Sequence, residues 1–224
     1  MNKIILLFTY IINIFYNFFL FILEVFLFYK IKLLRQVDYK LLMKYALIDQ
    51  FKISAIEKNL IDLPQKNLTY GETPWISIYK ILKEIEIKQN DIFYDLGSGN
   101  GRVVFFVNIY FKIKSIGIEL IPTFVKYSRE IAEELNLKNV FFIEDNWLEQ
   151  DISNGTIFFI TGTCYDDFIL FKSQEKIKKE LKKGSIIISL SNPLYCESLK
   201  LLNTKKLPFS WGKSTVYIYE KIKK

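Results

Sequence analysis

The chain has 224 residues, enough for one domain with an appendage and too few for a second large domain. Its net charge of +7 rests almost wholly on lysine, in a chain also crowded with Ile, Phe, Asn and Tyr; biased codon usage accounts for that better than nucleic-acid binding, which favours clustered arginine, and Arg35, Arg102 and Arg129 are the only arginines. Histidine is absent, which excludes an imidazole base or ligand, and the two distant cysteines, Cys164 and Cys196, make neither a metal site nor a disulfide framework and suit a reducing compartment.

Residues 4–23 form an uncharged apolar run of 20, prolonged by Val25 to Tyr29 beyond a single acid, Glu24. That length spans a bilayer, and no small-residue cleavage site follows it, so the reading is a transmembrane helix rather than a signal peptide. Lys30, Lys32, Arg35, Lys40 and Lys44 follow the run against Lys3 before it, which places the C-terminal part in the cytoplasm by the positive-inside rule. Asn13, Asn17 and Glu24 read as polar residues on a helix face or at the interface. From Val37 to Leu63 apolar residues recur at helical spacing among charges, a connector of one or two helices that Pro64 ends. The chain thus divides into an anchor (1–34), a helical connector (35–67) and a main domain (68–224).

The main domain alternates strand and helix. Thr73 caps, and Pro74 begins, a helix expected to run to about Ile85. Ile92 to Leu96 has the length and composition of a buried parallel strand, and Val103 to Val107 continues as an apolar helix. Further strands are expected at Ser115–Glu119, Val140–Glu144, Thr156–Thr161 and Gly184–Leu190, with a lysine-rich helix to about Lys183 whose charges form a solvated face. Lys205–Phe209 and Thr215–Tyr219, joined by a Trp211-Gly212 turn, read as an antiparallel pair. That makes seven strands in an α/β, Rossmann-like, doubly wound sheet with an antiparallel last strand, preceded by one transmembrane helix.

Between the first strand and its helix stand Asp95, Gly97, Ser98, Gly99, Asn100 and Gly101. Glycines at alternate positions admit positive φ and close ligand approach, and the helix that follows presents free N–H groups, so the turn suits a nucleotide cofactor. A P-loop would need Gly-Lys-Ser/Thr at the helix start and a dinucleotide fingerprint would need glycine at 102, where arginine stands; neither pattern fits.

The D-x-G-x-G-x-G run from Asp95 to Gly101 resembles the first motif of the class I S-adenosylmethionine (SAM) methyltransferases. Ser115-Ile116-Gly117-Ile118-Glu119 matches the second strand of that family with its terminal acid, and Glu144-Asp145-Asn146 follows the third strand where the family carries another. The resemblance implies SAM as cofactor: Asp95 to orient the loop and the ammonium group, Gly97, Ser98, Gly99 and Gly101 around the methionine part, Glu119 on the ribose hydroxyls, and Asp145 with Asn146 at the adenine. It implies no metal.

The full layout of apolar N-terminus, Thr73-Pro74-Trp75, YDLGSGNGR, GIEL and a terminal WG-x-S-T-V-Y hairpin resembles the small membrane-anchored seven-strand protein-lysine methyltransferases. Tyr70-Gly71-Glu72 resembles the Y-G-E loop of the disruptor-of-telomeric-silencing type histone-lysine methyltransferases. The similarity covers roughly residues 68 to 220. The acceptor implied is a lysine ε-amine of a protein, membrane association suiting the anchor, with catalytic walls from Tyr70, Glu72, Thr163 and Tyr165 and a contribution from Trp211. Ser191-Asn192-Pro193 follows the fifth strand rather than the fourth and reads as a turn. Alternatives of other classes are small-molecule or RNA methylation and a non-catalytic membrane scaffold that retains a nucleotide fold.

Overall fold

A computed structural model describes residues 3–57, 59 and 71–223. Seven strands form one sheet: β1 (Ile92–Leu96), β2 (Lys114–Glu119), β3 (Val140–Glu144), β4 (Ile157–Ile160), β5 (Ile186–Leu190), β6 (Leu199–Phe209) and β7 (Gly212–Lys221). Their order is β3-β2-β1-β4-β5-β7-β6. The first five run parallel, while β7 is antiparallel to both of its neighbours. The expected seven-strand α/β sheet is therefore what the chain forms. β6 starts at Leu199, six positions before Lys205, because Leu201 and Leu202 face solvent and a bulge between Leu201 and Asn203 breaks the alternation that marks a strand in sequence.

Successive side chains of each parallel strand enter opposite faces, so both faces need cover and the strands read as unbroken apolar runs. On one face Phe93, Phe142 and Phe159 join helices α4 (Trp75–Leu82), α5 (Arg102–Phe111) and α6 (Pro122–Glu134). On the other, Tyr94, Ile116 and Phe158 meet Trp147 and the Ile177 side chain of α7 (Asp167–Glu180). Lys221 is buried at the foot of α7 and donates to the carbonyls of Ile177 (3.2 Å) and Lys178 (2.8 Å) in the last turn, where helix carbonyls run short of backbone donors.

The N-terminal region thickens the first face. The connector is two helices, α2 (Lys32–Tyr45) and α3 (Gln50–Glu57). α2 buries Leu34, Val37, Leu41 and Tyr45, a stripe at helical spacing, in the core that α5 and α6 share. Ahead of them α1 (Lys3–Phe28) contains the stretch Phe8–Phe28, long and apolar enough to cross a membrane. One stripe of α1 is buried, Leu20, Glu24 and Phe28 at 6, 3 and 2% exposure, while Phe8, Ile12, Phe15, Phe19 and Phe26 stand exposed around it.

α4 begins one residue later than expected and ends at Leu82. Pro74 is its N-cap residue, Thr73 makes no side-chain cap, and the free N–H of Ile76 is taken by the Glu24 carboxylate of α1 at 3.1 Å. A carboxylate at a helix N-terminus satisfies an orphan donor and opposes the positive end of the dipole.

Candidate active site

The site is built at the C-terminal ends of β1 to β4, beside the point where the sheet order turns outward from β1 to β2 on one side and to β4 on the other. The N–H groups of Gly97 and Ser98 both donate to the carbonyl of Ile118, at 2.9 and 3.0 Å, which folds the loop against the end of β2. Gly97, Gly99 and Gly101 have φ of 92, 52 and 76°, values that a side chain would strain. Gly117 is needed for a different reason: a Cβ there would lie 2.6 Å from the Ser98 hydroxyl, so its absence is what lets the loop descend onto β2.

Glu119 closes the arrangement. One carboxylate oxygen accepts from Gly99 N–H at 2.8 Å and the other from Leu120 and Ile121 N–H at 2.8 and 2.9 Å. The residue thereby fixes the middle of the glycine loop and the turn into α6 together. Asp145 follows β3, with its N–H on the Glu119 carbonyl at 3.1 Å, and the Asn146 side chain caps the turn that brings Trp147 inward. Trp147 in turn donates to the Tyr165 hydroxyl at 3.2 Å.

Asp95, Gly97, Ser98, Gly99, Glu119, Asp145 and Asn146 line a single cleft, and so do Glu72, Thr163, Tyr165 and Trp211. Gly101 does not line it. That glycine opens α5, and a Cβ on it would meet Phe142 and Ser128 at 2.6 and 2.7 Å, so its place in the motif is explained by packing. Tyr70 lies outside the described residues. Sequence reasoning passed over Trp147 and Asn100, which also line the cleft, and Arg102, which governs its rim. Among the described residues no cluster of His, Cys, Asp and Glu offers a metal site.

Comparison with known proteins agrees with this geometry. The family described as "Histone methylation protein DOT1" matches residues 63–141. A protein-lysine N-methyltransferase of Saccharolobus islandicus (strain REY15A) is 27% identical over 129 residues, which is 55% of this chain and 76% of that protein. An H3 lysine-79 specific histone-lysine N-methyltransferase of Caenorhabditis elegans is 27% identical over 54% of this chain, and the match covers only 14% of that much longer protein. Among solved structures, an RNA methyltransferase from Salinibacter ruber in complex with S-adenosyl-L-homocysteine superposes with a TM-score of 0.58 at 25% identity, covering 68% of this chain and 94% of that one. The fold is that of the class I, SAM-dependent methyltransferases.

SAM is accordingly the cofactor expected for this methyltransferase, and the cleft fits it on its own chemistry. Asp95 Oδ1 and Ser98 Oγ are buried with no hydrogen-bond partner among the described residues, and each can accept from a ligand donor. Burial, then the charge of Glu119, holds the Asp95 carboxyl well above the usual carboxylate range. Glu119 is also pushed up by burial, against the lowering effect of its backbone donors. Two buried acids side by side favour a ligand that brings positive charge and hydroxyl donors.

The other end of the methyltransferase cleft is acidic and aromatic. Tyr165 is pushed up to about 12, chiefly by burial and partly by the nearby acids, so its hydroxyl stays protonated and can only hold or orient. Glu72 is raised by burial, lowered by Arg102, and raised again by Asp38 and Glu24. Arg102 receives three carboxylates from three elements: Glu24 at 2.8 Å, Asp38 at 2.9 and 3.0 Å, and Glu72 at 3.3 Å. Its guanidinium lies over the Trp75 ring at 4.2 Å, and its carbonyl accepts from the Trp75 indole at 3.0 Å. The sequence carried only half of this signal: Glu24 stands alone as an acid in an apolar run, but nothing near it names Arg102 as its partner.

Proposed function

We propose that the protein transfers a methyl group from SAM to the ε-amine of a lysine in a protein acceptor. Asp95, Gly97, Ser98 and Gly99 would hold the methionine part, Glu119 the ribose hydroxyls, and Asp145 with Asn146 the adenine edge. The bound cofactor supplies an electrophilic methyl carried on a sulfonium.

The observation that carries the lysine reading is the acceptor end: Glu72, Thr163, Tyr165 and Trp211 line the same cleft as the cofactor residues, with no histidine base in the chain. A lysine in water is protonated at neutral pH, and methylation needs its lone pair. Glu72 would draw the ammonium in and align it, and the walls of Tyr165, Trp147 and Trp211 would strip its water. Desolvation beside a positive cofactor favours the neutral amine, so the proton would pass to solvent at the cleft mouth before the amine lone pair takes the methyl, with S-adenosylhomocysteine as the leaving group and no imidazole required. The similarity to the Saccharolobus protein-lysine enzyme and to the DOT1 family supports this acceptor over others. The Salinibacter structure favours RNA as the second reading.

The test uses the full chain in detergent micelles with radiolabelled SAM and host membrane extract. Label is expected in protein, and Glu72→Gln should lower transfer about a hundredfold while S-adenosylhomocysteine binding stays within about twofold, because the loss falls on acceptor alignment. Label confined to RNA or small molecules, or no turnover at all, would reject the lysine reading.

We further propose that α1 enters a membrane by its N-terminal half, with the domain on the cytoplasmic side where Lys30, Lys32 and Arg35 follow it. The helix from Tyr16 to Phe28 packs on the domain, which leaves roughly 20 Å ahead of it at 1.5 Å per residue against a hydrocarbon core of about 30 Å, so the full span expected from the apolar run is corrected to a partial insertion. Carbonate washing of native membranes should leave the protein in the pellet, and its release would remove the insertion.

A further inference from the structure

The apolar helix α1 touches the acceptor side of the cleft by two separate routes, and both end on Glu72. Along the first, Glu24 holds Arg102 Nη2 at 2.8 Å and Arg102 Nε stands 3.3 Å from the Glu72 carboxylate. Along the second, the Asn17 amide donates to the carbonyl of Ser210 at 2.9 Å. Ser210 then grips the Glu72 backbone in both directions: its hydroxyl accepts from Glu72 N–H at 3.0 Å and its own N–H donates to the Glu72 carbonyl at 3.3 Å. The preceding Gly71 is pressed against the next residue of the hairpin, since a Cβ there would lie 2.6 Å from the Trp211 ring.

An anchor alone needs none of this. Asn17 and Glu24 are both costly in a helix that is mostly apolar, and a carboxylate at 3% exposure survives only with a paired cation and bonded oxygens. Both oxygens of Glu24 are bonded, one to Arg102 and the other to Ile76 N–H at the start of α4. A structural clamp would be served by any two points on the domain. Glu24 and Asn17 instead reach, through Arg102 and Ser210, the side chain and the backbone of a single loop residue that lines the cleft.

We infer that α1 is part of the catalytic unit, with Glu24 and Asn17 as positioning residues that set where Glu72 stands, Glu24 through Arg102 and Asn17 through Ser210. Neither touches the cleft itself, so the cofactor should be bound as well without them as with them, and the loss should fall on turnover. The inference rests on the methyl-transfer reading above and assigns the helix a share in it.

Full-length wild type, Glu24→Gln and Asn17→Ala would be compared in detergent micelles with radiolabelled SAM and the same membrane extract. Glu24→Gln removes the charge yet keeps an oxygen for Ile76 N–H. The expected result is a maximal rate about tenfold lower for Glu24→Gln and several-fold lower for Asn17→Ala, with the KM for SAM and the affinity for S-adenosylhomocysteine within about twofold of wild type. Wild-type rates in both variants would overturn the inference while leaving methyl transfer standing. So would a fall in rate matched by weaker cofactor binding and a lower melting temperature, which is the signature of a merely structural clamp. Absence of labelling by wild type would overturn the methyl-transfer reading and this inference with it.

Discussion

Glu119→Ala should abolish measurable binding of S-adenosylhomocysteine by the full-length protein in calorimetry. The carboxylate accepts from three backbone N–H groups, those of Gly99, Leu120 and Ile121. Removing it frees the centre of the glycine loop and the first turn of α6 together. It also removes the proposed partner of the ribose hydroxyls, where charge-assisted bonds are worth about 1.5–3 kcal/mol each. Two such bonds amount to a loss on the order of a hundredfold to ten-thousandfold in affinity, before the loosened loop is counted. Glu119→Gln keeps acceptor capacity on one oxygen only and should fall between. Binding by Glu119→Ala within about tenfold of wild type would remove Glu119 from the cofactor site.

Arg102→Met should cost more stability than any other single substitution near the cleft. It keeps an unbranched side chain against Trp75 but leaves Glu24, Asp38 and Glu72 facing one another without their shared cation. Stranding a buried charge costs about 3–5 kcal/mol. For a chain of this size that lowers the melting temperature by roughly 6–20 °C. The sign with pH follows from the carboxylates. Burial already raises Glu72, Asp38 and Glu24 raise it further, and Arg102 is what lowers it. Without the arginine the folded Glu72 carboxyl binds its proton more tightly still than it does in the unfolded chain. The variant should therefore regain more stability than wild type as pH falls from about 8 to about 5, because Glu72, raised in both proteins, has Arg102 to oppose protonation only in the wild type. Thermal unfolding of both proteins across that window checks it; equal melting temperatures would show that the cluster is not a stabilising network.

Much of this was legible in the chain because it depends on local pattern. Parallel strands buried on both faces read as apolar runs, which is why β1 to β5 were placed within a residue or two. The glycine loop was legible because backbone conformation dictates residue type in such a turn, whereas the acids at 119 and 145 were picked out through the resemblance to the SAM methyltransferase pattern. Gly101 shows the limit of that logic. It looks in sequence like its neighbours at 97 and 99, yet its missing side chain makes room for Phe142 and Ser128, partners from β3 and α6 that no local pattern names.

The larger omission was long-range and electrostatic. Glu24 and Arg102 lie 78 positions apart, and nothing in either neighbourhood points to the other. An apolar run containing one acid reads as a span with an interfacial blemish, whereas the fold uses that acid to cap α4 and to hold Arg102. For the same reason Thr73, a good cap by composition, makes no cap: the donor it would have served is already taken from outside the local sequence. Propensity loses to tertiary context where a buried charge must be paired.

The central claim is that this chain methylates protein lysine, and acid hydrolysis of labelled material tests it most directly. Wild-type protein would be incubated with methyl-labelled SAM and host membrane extract, the protein fraction hydrolysed to amino acids, and the label separated by chromatography. The account predicts radioactivity running with N-methylated lysines. Label running with methylated arginine, with methylated nucleosides from the RNA fraction, or with no amino acid at all would contradict it.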